Sequence, residues 1–219
     1  MGRILTDDAA AAIAAENGPL PDLLAEMTAY GRERDFPIVG PDGGRFLRTL
    51  AALAGARRVF EFGSGFGYSA AWFAGALPAD GDLVLTDYDA DNLATAEAFL
   101  DRSDYAGAAH YEVGDAMESF AAHDGPWDVV LIDHDKTRYA DALELARPAL
   151  ADGAVVVADN VLRGPASADE IRAALAGDEP ASEHAAGLAA YVEAVRDDDA
   201  FETSVVPLGS GLAVSAYRP

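Results

Sequence analysis

Five short apolar runs, Arg58–Phe62, Leu83–Thr86, His110–Val113, Trp127–Ile132 and Ala154–Ala158, alternate with helical segments around Tyr68–Ala76, Asp91–Asp101, Ala116–Ala122 and Tyr139–Leu150. Each run ends in a turn containing Gly or Asp, the punctuation of a strand. Strands separated by helices pair in parallel through right-handed crossovers, so the pattern predicts a doubly wound α/β sheet. The end of the chain breaks the alternation. After a helix near Glu183–Arg196, the runs Phe201–Val206 and Gly211–Tyr217 are joined only by Pro207-Leu208-Gly209-Ser210. That link is too short for a crossover and predicts an antiparallel hairpin at one side of the sheet.

The whole is a Rossmann-like sheet of about seven strands, mostly parallel. It is preceded by about fifty residues of helical character, with Pro19, Pro21, Pro37 and Pro41 as breakers. No linker or repeat divides the 219 residues, which read as one domain: a helical cap over 1–55 and an α/β core over 56–219. The Gly-, Pro- and acid-rich stretch Arg163–His184 is the expected mobile loop or lid. No apolar run approaches the ~20 residues of a membrane span. Asp7-Asp8 before the first alanine-rich stretch suits a capped helix better than a signal peptide, so a cytoplasmic location is expected.

The formal charge is −23, with acid dispersed along the chain and one lysine against fourteen arginines. Such a surface is expected of a protein from a high-salt cytoplasm, a halophile, where self-repulsion is screened over about 3 Å at 1 M salt. It lacks the basic patch that nucleic-acid binding requires. Cysteine is absent, which excludes disulfides and thiolate metal sites.

The strongest local signal is Val59-Phe60-Glu61-Phe62-Gly63-Ser64-Gly65-Phe66-Gly67-Tyr68-Ser69. Glycines at alternate positions, where a strand turns into a helix, let a ligand approach backbone amides closely. The spacing is one residue short of the dinucleotide Gly-x-Gly-x-x-Gly, and Glu61 precedes the first glycine by two. Together these favour S-adenosylmethionine, whose ammonium and sulfonium are cationic, over a nicotinamide dinucleotide. Asp87, with Tyr88, ends the second strand, where a carboxylate can accept ribose hydroxyls. Asp115, with Ala116, ends the third, as an adenine neighbour, a helix N-cap, or both.

The fourth strand ends in Asp133-His134-Asp135-Lys136 and the fifth in Asp159-Asn160. Lys136 is the only lysine, and unlike arginine a desolvated lysine can give up its proton and act as a base. Carboxylate and amide oxygens from adjacent strand ends form a hard-ligand set suited to Mg²⁺, or to Ca²⁺ or Mn²⁺. Asp133 falls in the catalytic, donor-binding and metal-holding sets alike. Strand alternation turns His134 away from Asp133. His110, His123 and His184 show no partner pattern, and Tyr68, Trp72 and Phe73 read as packing for the first crossover helix.

The runs Phe60–Ala71, Ile132–Tyr139, Val156–Asn160 and Pro207–Ala213 together resemble the class I cation-dependent O-methyltransferases, the group of catechol and caffeoyl-CoA O-methyltransferases. The resemblance covers Ile38 to the C-terminus. It implies that Asp133, Asp159 and Asn160 hold the metal, that Lys136 deprotonates the substrate hydroxyl, and that Asp87 holds the ribose. It also implies that Val39, Glu61, Gly63, Ser69, Tyr88 and Ala116 line the donor site, with Gly65 in the same turn, and that the protein is a homodimer. One departure stands out: animal catechol enzymes carry a substrate-orienting glutamate shortly before the last strand. Here Pro207-Leu208-Gly209-Ser210 holds no acid in register, so strict catechol specificity is not implied.

The expected activity is transfer of a methyl group from S-adenosylmethionine to a hydroxyl of a small chelating acceptor. A tRNA-modifying hydroxyuridine methyltransferase is the alternative within the fold family, set against the missing basic surface. A non-catalytic S-adenosylmethionine-binding module is the other, set against the intact Asp133, Lys136, Asp159 and Asn160. The charge has its own consequence. The melting temperature should climb steeply between dilute and molar KCl, and a flat melting temperature across that range would show that the acid serves another purpose.

Overall fold

A computed structural model describes residues 6–219; the first five residues of the expected cap lie outside the described residues. Three helices make the cap: α1 (Asp7–Asn17), α2 (Asp22–Glu33) and α3 (Gly40–Leu53). Thr6 caps α1 through its side chain. Pro41, expected as a breaker, instead sits in the first turn of α3, where a missing N–H leaves no hydrogen bond unmade.

The core runs β1 (Arg58–Phe62), α4 (Tyr68–Ala74), β2 (Asp82–Asp87), α5 (Ala90–Leu100), β3 (Ala108–Val113), α6 (Ala116–Ala122) and β4 (Trp127–Ile132). It continues with α7 (Tyr139–Ala146), β5 (Leu150–Ala158), α8 (Ala168–Leu175), α9 (Glu183–Arg196), β6 (Phe201–Val206) and β7 (Leu212–Tyr217). The strands form one seven-stranded sheet in the order β3-β2-β1-β4-β5-β7-β6. β1 to β5 pair in parallel, and β7 joins β5 and β6 antiparallel, as the hairpin reading requires.

Side chains alternate between two cores. Phe60, Phe62, Val130 and Ile132 pack on one face, with Tyr139, Leu188 and Tyr191 beneath them. Val59, Leu83, Val129 and Leu131 pack on the other, with Leu47, Trp72 and Phe73. The central strands are therefore apolar on both sides, which is why they read as near-continuous hydrophobic runs. Tyr68, Trp72 and Phe73 are buried as expected. Leu24, Met27 and Leu47 of the cap share the second core, so cap and sheet are stabilised together.

Two expectations need correction. The helix expected over Tyr139–Leu150 stops at Ala146 and tightens into a 3-10 turn over Arg147–Ala149, because Pro148 has no N–H to continue it. The stretch Arg163–His184 is not all loop. It contains α8, started by a reciprocal capping box in which Ser167 and Glu170 satisfy each other's backbone N–H groups. Among the described residues, no helix is long and apolar enough to cross a membrane.

Candidate active site

Ladder register builds the site. Phe62 pairs with Ile132 and Ile132 with Ala158, so Gly63, Asp133 and Asp159 follow side by side at the carboxyl ends of β1, β4 and β5. The Asp133 N–H still donates to the Phe62 carbonyl at 2.8 Å, and that of Asp159 to the Ile132 carbonyl at 3.2 Å. Beside this row lies a cavity of about 640 Å³. It is lined by Val39, Gly63, Gly65, Ser69, Asp87, Tyr88, Ala116, Asp133, Lys136, Asp159 and Asn160, among others. Of these, the glycines, Asp87, Asp133, Lys136, Asp159 and Asn160 were suggested by their own types and positions, and Val39, Ser69, Tyr88 and Ala116 only by the family resemblance.

Two expected residues stand apart. Glu61 lies fully buried in β1 and does not line the cavity, and Asp115 is spent elsewhere. Asp115 caps α6, its Oδ1 accepting the Met117 N–H at 2.8 Å, while Arg138 approaches Oδ2 at 2.8 Å. Arg138 holds the Asp115 carboxyl below its ordinary pKa. The N-cap role is seen, and it is compatible with the adenine role. Burial pushes the Glu61 carboxyl up to about 8, against the pull of the nearby Ser69 and Ser64 hydroxyls. Neither Glu61 oxygen makes a well-formed hydrogen bond among the described residues.

The glycine turn is held from below. Thr86 Oγ1 donates to the Glu61 carbonyl at 2.7 Å and accepts from the Gly63 N–H at 3.1 Å. Gly63 has φ +85°, and a Cβ there would stand 2.8 Å from the Asp133 carbonyl oxygen, so the turn tolerates no side chain at that point. Asp87 is fixed by three donors: Gly65 N–H on Oδ2 at 3.0 Å, and Asp89 N–H and Asn92 Nδ2 on Oδ1 at 2.8 and 3.2 Å. Phe36, from the end of the cap, closes over Gly65; its ring would lie 2.8 Å from a Cβ there.

The polar end of the cavity centres on Lys136, which is 9% exposed. Its Nζ donates to Asp133 Oδ1 at 2.7 Å and to the His134 carbonyl at 3.0 Å. The Tyr139 hydroxyl points at the same Asp133 oxygen from 3.4 Å. Burial raises the Asp133 carboxyl against the opposing pull of Lys136. Asp159 is pushed up to about 8, first by burial and then by the charge of Asp133. Asn160 takes a left-handed φ of +65°, and its Nδ2 donates to the Arg163 carbonyl at 3.3 Å. Among the described residues, no group of three or more His, Cys, Asp or Glu is placed to hold a metal, so the candidate set is two carboxylates and one amide.

His134 stacks on Tyr139 with rings 7° from parallel and centroids 5.6 Å apart. Burial, with the charges of Lys136 and Arg138, pushes its pKa down to about 4, and the half-buried residue is among those that line the cavity. His110 and His123 do have partners: Asp82, at the start of the neighbouring strand β2, at 2.9 Å, and Glu112, in β3, at 3.2 Å; strand pairing and the α6 crossover bring them together, not local pattern. Thr86, Asn92, Arg138 and Tyr139 also went unread. For Asn92 the spacing from Asp87 across a capped helix start was a usable signal.

A doubly wound sheet with a glycine turn, an acid at the next strand end and a lysine–carboxylate pair defines a methyl-transfer fold. Residues 12–217 match the O-methyltransferase family, and the chain belongs to it. It is 35% identical over 159 residues to a catechol O-methyltransferase of Niastella koreensis, covering 68% of this chain and 70% of that one. A methyltransferase structure from Geobacter sulfurreducens superimposes with a TM-score of 0.81 at 26% identity, over 99% of this chain and 100% of that one. An O-methyltransferase structure from Bacillus cereus in complex with SAH has the same fold, with a TM-score of 0.78 at 22% identity over 91% and 92% of the two chains. The protein is thus an S-adenosylmethionine-dependent O-methyltransferase.

Asp87→Ala removes the acceptor on which three N–H groups converge, and should weaken S-adenosylhomocysteine binding by roughly 1–3 kcal/mol, the range for losing charged hydrogen bonds. Asn92→Ala removes one donor and should weaken it less. Calorimetry measures both, and unchanged affinity in a folded Asp87→Ala variant would refute the ribose assignment.

Proposed function

We propose that the chain methylates one hydroxyl of a small acceptor carrying two adjacent oxygens, a catechol or similar chelator, with the help of a divalent cation. The observation that carries this reading is the cluster at the cavity's polar end: Lys136 on Asp133 at 2.7 Å, with Asp159 and Asn160 on the neighbouring strand end. The catechol activity named for the Niastella koreensis relative and the SAH in the Bacillus cereus structure support it.

The donor set fits a hard divalent cation. Asp133 and Asp159 are both pushed toward their neutral forms by burial, and Asp159 further by its neighbour's charge. A pair of carboxylates destabilised in this way is satisfied by a positive charge between them. Asp133, Asp159 and Asn160 would hold the ion, which would supply the Lewis acidity that eases deprotonation of an acceptor hydroxyl.

Lys136 is the group placed to take that proton. With Lys136 in its neutral form, its own proton first released to solvent, the acceptor's O–H bond breaks, the proton passes to the Nζ lone pair, and the oxygen lone pair attacks the donor's methyl carbon as the carbon–sulfur pair returns to sulfur. Asp87 and the glycine turn hold the donor's nucleoside, so that the methyl group faces the acceptor oxygen; most of the acceleration comes from this positioning. Ser69, Gly63, Val39, Tyr88 and Ala116 complete the donor site in this reading, with Glu61 buried behind the glycine turn as a charge that acts on it without lining it. The shared packing of cap and sheet supports treating 1–219 as one domain. The exposed ion pairs, Arg57 with Asp80 and Arg102 with Glu26 among them, support the high-salt reading, because most of the surface acid still lacks a matching base.

Stripping divalent ions should abolish turnover while leaving S-adenosylhomocysteine affinity in place. Full catechol methylation by protein shown metal-free by elemental analysis would sink the cation requirement. A Lys136→Arg variant keeps the charge and loses the base, so turnover should fall by ~10²–10⁴. Near-normal turnover in a folded, metal-loaded variant would leave Lys136 an electrostatic role only.

A further inference from the structure

Gly187 sits in the interior of α9, at a position where its φ lies outside the left-handed region, so no backbone demand explains it. Glycine is among the least favourable residues for a helix interior. What explains it is the neighbour. A Cβ at Gly187 would stand 2.3 Å from the Lys136 carbonyl oxygen, 2.7 Å from the Thr137 Cα and 3.0 Å from the Lys136 carbonyl carbon. All three are backbone atoms, which cannot swing aside as a side chain would.

We propose that Gly187 is a positioning residue for Lys136: it lets α9 lie directly against the 3-10 turn Lys136–Arg138 and so fixes the depth at which the lysine enters the cavity. The turn is held on both sides. In front, Lys136 Nζ reaches Asp133 Oδ1 and the His134 carbonyl, and Asp135 caps the turn, its Oδ1 accepting the Thr137 N–H at 3.0 Å. Behind, α9 is locked into the core by Ala185, Leu188, Ala189 and Tyr191, with Tyr191 edge-on to Tyr139 at 5.9 Å. The helix that buries these side chains cannot retreat easily, so an added methyl group pushes the turn and carries Nζ away from the acceptor oxygen.

The inference rests on the reading of Lys136 as the proton acceptor, and a double-mutant cycle separates the two. Gly187→Ala should lower kcat by ~10–100-fold, the scale of a misplacement near 1 Å, with the acceptor KM and S-adenosylhomocysteine affinity little changed. In a Lys136→Ala background the same substitution should cost less than about twofold, because the group it displaces is gone. Leu100→Ala, buried in α5 and in the core on the other face of the sheet, is the stability control: it opens a cavity, lowering the melting temperature while leaving kcat intact well below that temperature. Equal losses from Gly187→Ala in both backgrounds, a full rate in Gly187→Ala, or its failure to bind S-adenosylhomocysteine would each overturn the positioning role. A full rate in Lys136→Ala alone would instead overturn the reading of the lysine.

Discussion

Two carboxylates ending adjacent parallel strands are the constraint around which the site is arranged. Asp133 and Asp159 are neighbours because Ile132 and Ala158 pair, and no loop movement can separate them without breaking the ladder. Burial drives both toward neutrality, while Lys136 on Asp133 pulls the other way. An unpaired buried charge is strongly destabilising, so the strand ends demand positive charge from elsewhere. Lys136 supplies one ammonium at 2.7 Å from Asp133, and the charge of Arg163 also acts on Asp159. In the proposed reading a bound cation completes the balance.

The same logic applies at the other end of the cavity. Glu61, like Asp159, has its carboxyl raised to about 8 by burial. For such groups the stabilising neutral form is fully present below the ordinary carboxyl pKa and is lost as pH rises through about 8. Ionising either carboxyl in the folded protein is therefore opposed by burial at neutral pH, beneath the glycine turn and at the end of β5. In the proposed reading, a cationic donor near Glu61 and a cation beside Asp159 would each favour the ionised carboxylates.

Most of the fold and much of the site were legible because they depend on local pattern. Strand–helix alternation gave the parallel sheet, a four-residue link gave the hairpin, and acids at strand ends marked the crevice. What escaped depends on neighbours that are distant in sequence. Thr86 matters because β2 lies beside β1, and Gly187 because α9 crosses behind Lys136; Tyr139, only six residues on, was missed because the turn that returns its hydroxyl to Asp133 is not written in local pattern. Glu61 was readable as important, yet its burial below the turn was not, since alternation names a face without saying how deep it lies. α8 was a different kind of miss. Its capping box, Ser167 to Glu170, was plain, but the surrounding Gly, Pro and Ala suggested loop.

The contrast between Arg138 and Lys136, two residues apart, shows how the chain divides its cations. Arg138 bridges Asp115 at 2.8 Å and leans toward the Tyr88 hydroxyl at 3.5 Å, a task for a planar fork with several donors. It ties the turn to the start of α6 and to the end of β2. Lys136 instead meets a single carboxylate oxygen and one carbonyl from a position 9% exposed. A guanidinium is bulkier and holds its proton, so it could fill neither the space nor the chemical role. The chain's one lysine thus stands at the polar end of the cavity, where the proposed mechanism calls for a compact ammonium able to exchange a proton.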